Sequence, residues 1–426
     1  MASIPHGPCL GLDFGTSNTA LARLIDGRVE PVPLEGGAAT LPSAVFYGAY
    51  DGSLAFGREA FARYLDGDEG RLLRGVKTVL GTSLMHERTA AGGRSVSFAD
   101  IVGALFERVF RDLPDVRDGC TLVVGRPVRF GEAEASGRND PEAFLVEVLD
   151  GLGFRDVSFL HEPIAASLTY AADATREELV LVVDVGGGTS DFAVVRIVPG
   201  AGVGSDSEVL ASAGVRTGGD RFDERFSLAS AMPHLGYGSR LEGSGREQPG
   251  RIWFELATWH RIHTLHDRRT ADEARTMLLD SRSPELVRRL LSALEGRKGH
   301  AIAAAVEAAK IRLSTESRTS LALDVGAEIA HVRAERDDLD RAIARDVDRV
   351  RECALEAVQS AGVSPEAIDA LCYTGGSSLV PSLRAAIGAT FARARAVDGN
   401  AFGSVAGGLA IEAGRRRATG AARSRG

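Results

Sequence analysis

The stretch Val183–Phe192, VDVGGGTSDF, sets three glycines between an apolar run and a Thr-Ser-Asp. The residues after the glycines decide the fold. In a dinucleotide-binding unit or a P-loop the glycines lead directly into a helix. Here they lead into Asp191–Val198, DFAVVRIV, which is rich in β-branched residues and carries no helix cap. The loop is therefore predicted to join two strands as a hairpin. No G-K-[ST] occurs anywhere in the chain, which removes the P-loop NTPases.

A counterpart lies near the N-terminus, LDFGTSNTA at Leu12–Ala20. Both stretches read apolar strand, Asp-x-Gly, small hydroxylated residues and strand again, and Asp13 and Asp184 are 171 positions apart. That period is too long for a solenoid and suits two similar domains facing each other, with a cleft walled by two related loops. Between the repeats, Phe98–Arg111 has helical apolar spacing, Thr121–Val128 reads as a strand and Pro141–Leu152 as a helix. Such alternation indicates α/β architecture.

Beyond the second repeat come a Gly-rich turn at Gly200–Ser207 and a charged, helical region from Phe222 to about Ser317. Within that region Leu235–Gly250 is broken by Gly, Ser and Pro and is predicted to be a mobile loop. Val306–Leu313 and the charged Val332–Ser360 read as helices, and Ala370–Tyr373 as a short strand. The end of the chain, GRRRATGAARSRG, lacks apolar content and is expected to be a disordered, arginine-rich tail. In Trp253–Arg269, His260, His263 and His266 recur every three residues and so drift around a helix. A partner-facing amphipathic helix or ordinary packing is the reading for them in preference to a metal site, and core packing in preference to an interface anchor for Trp253 and Trp259.

The 426 residues exceed what a single core usually holds, and the net charge of -8, with both signs interspersed, gives no nucleic-acid footprint. Four widely separated cysteines, Cys9, Cys120, Cys353 and Cys372, suit reduced thiols. The sequence has no run near the roughly 18 apolar residues of a membrane span, and no signal peptide at its start. A cytoplasmic protein whose partners are small molecules or proteins is the expectation. Of fifty Lys plus Arg, only Lys77, Lys298 and Lys310 are lysine.

A glycine hairpin lets backbone N–H groups converge on phosphate oxygens without interference from side chains. Asp13 and Asp184, at the strand ends, can hold a hydrated Mg²⁺, and the Thr16 and Thr189 hydroxyls add phosphate contacts. Two such hairpins make a clamp.

These residues resemble the actin-like ATPase superfamily, and further stretches narrow the resemblance to the seventy-kilodalton heat-shock protein (DnaK) family. Val76–Gly81, VKTVLG, is similar to the segment with that family's catalytic lysine, and Glu162–Ala166, EPIAA, to its connecting helix. Gly218–Asp223, GGDRFD, resembles its Gly-Gly-x-x-Phe-Asp. Glu307–Ser314, EAAKIRLS, resembles its adenosine helix, and Gly375–Pro381, GGSSLVP, its ribose and adenine glycine pair. The motifs follow in order from Leu10 to about Ala413.

The resemblance implies a two-lobed actin-like fold of duplicated ribonuclease-H-like domains with a central nucleotide cleft. The first lobe would span 1–180 with an insertion at about 32–120. The second would span 181–412 with an insertion at about 222–305 and a C-terminal helix packing back on the first, leaving 413–426 as the tail. It implies ATP or ADP and Mg²⁺ as ligands, with Asp13, Glu162, Asp184 and Asp191 around the metal and the attacking water, the metal being held through water by Asp13 and Asp184. Lys77 would meet the γ-phosphate. Gly15, Thr16, Ser17, Gly186, Gly187, Gly188 and Thr189 would hold phosphates, and Gly218, Gly219, Glu307, Lys310, Ser314, Gly375, Gly376 and Ser377 the rest of the nucleotide. Two of the three lysines thus fall on motif positions, where a compact point charge suits better than a planar guanidinium.

The match departs from the family at Leu379, where an adenine-stacking arginine is usual, and over Asp223–Glu307, which is longer than in typical members. The chain ends at Gly426 without the family's peptide-binding half, a plan that resembles the stand-alone YegD-type proteins. The implied function is a slowly hydrolysing, chaperone-like ATPase switch sensed by another protein or client. A filament-forming cytoskeletal ATPase and a small-molecule kinase share both hairpins and are the alternatives.

Overall fold

The computed structural model describes residues 7–113, 116–117, 119–128, 140–171, 174–198, 208–398 and 404–423. The turn expected at Gly200–Ser207 lies outside them. By compactness the chain divides into two units, Met1–Arg216 with Arg351–Ser378 and Ile387–Gly426, and Thr217–Val350 with Leu379–Ala386. Both glycine hairpins fall in the first.

Two sheets with one wiring carry that first unit. In one, the central strand Cys9–Phe14 pairs antiparallel with Asn18–Ile25, which pairs with Arg28–Pro31. On its other side it pairs parallel with Thr121–Arg126, which pairs with Asp156–His161. In the other, Glu178–Val185 pairs antiparallel with Ser190–Ile197 and through it with Glu208–Val215, and parallel with Ala370–Thr374 and through it with Arg395–Asp398. Over these five strands the orders coincide, and the first sheet adds Thr40–Pro42 beside Asn18–Ile25. The duplication read from two short turns therefore extends over whole sheets. Val180–Val183 is wholly buried, as a central strand covered on both faces must be.

One core packs the first sheet against Phe98–Val109, a helix closed by a Ser97/Asp100 capping box. A second core joins Val180, Val182, Ala193 and Val195 to Ala165 and Ala166 of the helix Glu162–Ala171 and to Val405, Leu409 and Ala413 of the helix Ser404–Arg423. A small sheet of Ala44–Gly48 between Leu54–Phe56 and Gly70–Arg74 sits in the insertion of the first repeat.

The second unit is mainly helical, with Gly219–Phe226, Arg251–Ala257, Arg268–Leu279, Pro284–Glu295 and Gly299–Leu313 beside the hairpin Arg318–Asp324/Ile329–Glu335. Trp253 is fully buried and its Nε1–H donates to the Leu235 carbonyl at 2.9 Å, while Trp259 lies edge-on to His300. Both tryptophans are packing residues here. Leu235–Gly250 is tied by its own bonds, among them Leu241 N–H to Arg246 O and Glu242 N–H to Asp280 O, each 2.8 Å.

Two expectations need correction. The helix expected over Val332–Ser360 starts only at Arg336; Val332–Glu335 finishes a strand, whose alternating burial has period two. The tail expected to be disordered from 413 is helical through Arg423. Its arginines found acceptors that composition does not reveal. Arg416 donates to Glu412 and to the Phe159 carbonyl, and Arg417 to the carbonyls of Pro8 and Gly119. The apolar half of this amphipathic helix, Val405 to Ala413, comes before the arginines.

This helix approaches its neighbours at glycine. A Cβ on Gly408 would lie 1.7 Å from the Ala165 carbonyl oxygen, and one on Gly11 would lie 2.3 Å from Ala406 O. Backbone cannot yield as a flexible side chain can. Gly408→Ala is expected to lower stability by ~3 kcal/mol or more, read as a fall in the urea midpoint at unchanged slope. All four cysteines are buried, and burial pushes the thiols of Cys120 and Cys372 up to about 12 and about 11. Thiolate is then scarce at pH 8. Iodoacetamide is expected to leave the native protein unlabelled and to label all four sites in denaturant, as counted by intact mass.

Candidate active site

The two hairpins close with the same bond. Gly15 N–H donates to Asn18 O at 3.0 Å and Gly186 N–H to Thr189 O at 3.0 Å, each at the matching place in its repeat. They line one pocket. A Cβ added to Gly188 would stand 3.3 Å from Thr16 Oγ1, so the bare glycine leaves room between the two turns.

Lys77 enters from the inserted sheet. The strand Gly70–Arg74 ends at Gly75, whose φ of +63° turns the chain into a short 3₁₀ turn, Val76–Val79. This delivers Lys77 almost fully buried, with Nζ donating to Glu162 Oε1 at 2.5 Å. Glu162 opens the helix Glu162–Ala171, with Pro163 behind it in a place where a missing N–H costs nothing.

The same pocket is lined by Asp13, Gly15, Thr16, Ser17, Lys77, Glu162, Asp184, Gly186, Gly187, Gly188, Thr189, Gly375 and Gly376, all anticipated from sequence. Asn18, Ala20, Thr40, Thr374 and Val405 also line it and were not anticipated. Asn18 was legible in principle, because it occupies in the first hairpin the place that Thr189 holds in the second. Asp191 and Ser377 are buried but are not among the lining residues. Asp191 accepts the Val128 N–H at 3.0 Å, and Gly214 leaves its carboxylate room, since a Cβ there would lie 2.7 Å from Oδ1.

Burial dominates the electrostatics. It raises Asp13 to about 7 with help from the Glu162 charge, raises Asp191 to about 7, and lifts Asp184 well above the usual carboxylate range. Burial opposes the Lys77 ammonium, but the charges of Glu162 and Asp13 outweigh it and hold Lys77 above its ordinary value. Four carboxylates thus face one ammonium. Among the described residues no three acidic, imidazole or thiol groups are close enough to grip an ion directly. Asp13, Glu162 and Asp184 line the pocket with carboxylate oxygens, the donor chemistry that a hard divalent cation takes.

The remaining anticipated residues cluster in the second unit. Gly218 precedes the helix Gly219–Phe226. Lys310 is buried, with Nζ donating to Asp223 Oδ2 at 2.7 Å and to Gly219 O at 3.3 Å. Ser314 Oγ donates to Lys310 O at 3.4 Å, one turn on, and Glu307 stands one turn before. Burial raises Asp223 to about 7 against the pull of Lys310, while Asp223 and Glu307 keep Lys310 charged in spite of its burial.

A family model described as Hsp70 protein matches residues 151–230 and 294–422. The chain is 30% identical to the chaperone protein HscA of Edwardsiella ictaluri over 92% of its own length and 56% of that protein. It is 28% identical to HscA of Serratia proteamaculans over 97% and 59%, and 26% to the HscA homolog of Cupriavidus metallidurans over 92% and 56%. The chain belongs to the Hsp70 family. Its α/β fold, with two sheets of one topology, is the actin-like ATPase fold of Hsp70. It spans just over half the length of the curated relatives it matches. The Hsp70 model passes over 231–293.

Asp13 and Asp191 sit far above their ordinary 3.8, so the folded state holds protons that the unfolded chain has lost. The stability they contribute is present below that value and is lost as pH rises through about 7. In EDTA the urea midpoint is expected to fall between pH 6 and pH 8, and Asp13→Asn to flatten that slope.

Proposed function

We propose that this Hsp70-family chain is a Mg²⁺-ATP-binding, slowly hydrolysing chaperone-type module, cytoplasmic, whose nucleotide state changes its conformation and is sensed by a protein partner or client. The observation that carries the reading is a single pocket receiving two glycine hairpins, one buried lysine and the carboxylates Asp13, Glu162 and Asp184.

Each chain residue has a physical task in this reading. N–H groups of the two turns donate to phosphate oxygens in a place where glycine allows close approach. The Lys77 ammonium neutralises charge on the γ-phosphate, and it must be shared with Glu162 to do so, which supports slow turnover. A Mg²⁺ ion, when bound, supplies charge neutralisation at the phosphates, with Asp13 and Asp184 holding it through water. Asp184 or Glu162 orients the attacking water and takes its proton, and Asp191, fixed by the Val128 N–H, adds to the field around them. The nucleoside roles of Gly218, Gly219, Glu307, Lys310, Ser314, Gly375, Gly376 and Ser377 rest on the family motifs.

ATP turnover by the intact chain, compared with Lys77→Ala, tests the proposal. A drop of ~10²-fold or more in kcat is expected from losing a charge that acts on the transferred group. Equal rates would remove Lys77 from the mechanism. ATP is also expected to slow limited proteolysis of the wild type, and an unchanged digestion pattern would sink the switch.

A further inference from the structure

Ser43 is 1% exposed and Thr19 is fully buried, yet both are polar and neither belongs to the set of site residues described above. Ser43 Oγ–H donates to the carbonyl of Gly15 at 2.7 Å, and Thr19 Oγ1 lies 2.9 Å from Ser43 Oγ. A hydroxyl has one proton, and a carbonyl can only accept. The direction of this hydrogen-bond relay is therefore fixed: Thr19 donates to Ser43 and Ser43 donates to Gly15. The Ser43 backbone takes part too, its N–H donating to the Ser17 carbonyl at 2.9 Å. One residue thus holds the first hairpin at two of its carbonyls.

The peptide plane carries this restraint to the pocket. No cis bond occurs among the described residues, and in a trans peptide the C=O and the next N–H point to opposite sides. Drawing the Gly15 carbonyl toward Ser43 turns the Thr16 N–H the other way, and Thr16 lines the pocket. Ser43 also immediately precedes the strand Ala44–Gly48, whose first residue pairs with Arg74, three positions before Lys77. The glycine hairpin and the lysine are thereby attached to the two paired ends of one antiparallel ladder.

We propose that Ser43, supported by Thr19, is a positioning residue that aims the N–H groups of the first hairpin at phosphate and sets that hairpin in register with Lys77. The proposal rests on the nucleotide reading above and names a residue that reading does not include.

The test uses the full chain, with MgADP and magnesium tripolyphosphate as probes, in wild type, Ser43→Ala and Ser43→Ala/Thr19→Val. Ser43→Ala frees the hairpin and also strands the Thr19 hydroxyl in the interior without an acceptor, a cost to stability. Thr19→Val removes that stranded hydroxyl but cannot re-aim the loop. Affinity for both probes is therefore expected to fall by ~10-fold or more in Ser43→Ala, as for removal of one charge-assisted hydrogen bond to phosphate, and to stay low in the double variant even as its melting temperature recovers. Affinity that recovers together with stability, or that is unchanged in Ser43→Ala, overturns the positioning role while leaving the nucleotide reading intact. A wild type that binds neither probe overturns both.

Discussion

Four carboxylates enclosed with a single ammonium are the constraint on which this structure turns. Glu162 is paired directly with Lys77, and Asp13, Asp184 and Asp191 are left with more negative charge than the protein neutralises. A buried charge is tolerated only when it is paired, hydrogen-bonded, protonated or completed by a ligand. The raised carboxyl groups are the protonated solution to that imbalance, and in the proposed function a divalent cation is the ligand solution. A site built this way responds to its ligand electrostatically as well as sterically.

Glycine makes so crowded an arrangement possible. Gly188 clears space beside Thr16, Gly214 beside Asp191, and Gly375, at φ +77°, beside the Val185 carbonyl and Asp184. At each place a methyl group would displace backbone or a site side chain. The same economy runs through the scaffold, where Gly11 and Gly408 let the Ser404–Arg423 helix approach the first sheet and the Glu162–Ala171 helix. That second helix carries Glu162 at its first position, so the helix is held by close packing at Ala165, in its first turn, and by charge pairing at its start.

Most of the pocket was legible in sequence, because its residues sit in short runs whose chemistry is local. Asp-x-Gly followed by hydroxylated residues specifies a strand, a turn and a polar rim within about ten positions, and a second copy marks the pair. Lys77 was visible for another reason, since a chain that uses arginine almost everywhere has kept lysine there. Thr40 and Val405 were not legible, because their place in the pocket comes from pairings and packing that no local pattern encodes. The helical end of the chain escaped for the same reason: three consecutive arginines read as solvated until the carbonyls of Pro8, Gly119 and Phe159 are brought beside them.

The sequence by itself determined the hairpins, the duplication, the α/β class and the family, because these depend on residue type and on spacing along the chain. Only the tertiary structure decided that Lys77 is bonded to Glu162, 85 positions away, that Ser43 holds the Gly15 turn, and that the terminal helix docks on the first sheet. Contacts of that kind are set by which surfaces close-pack, and close packing is a property of the assembled strands and helices that no single stretch of chain carries.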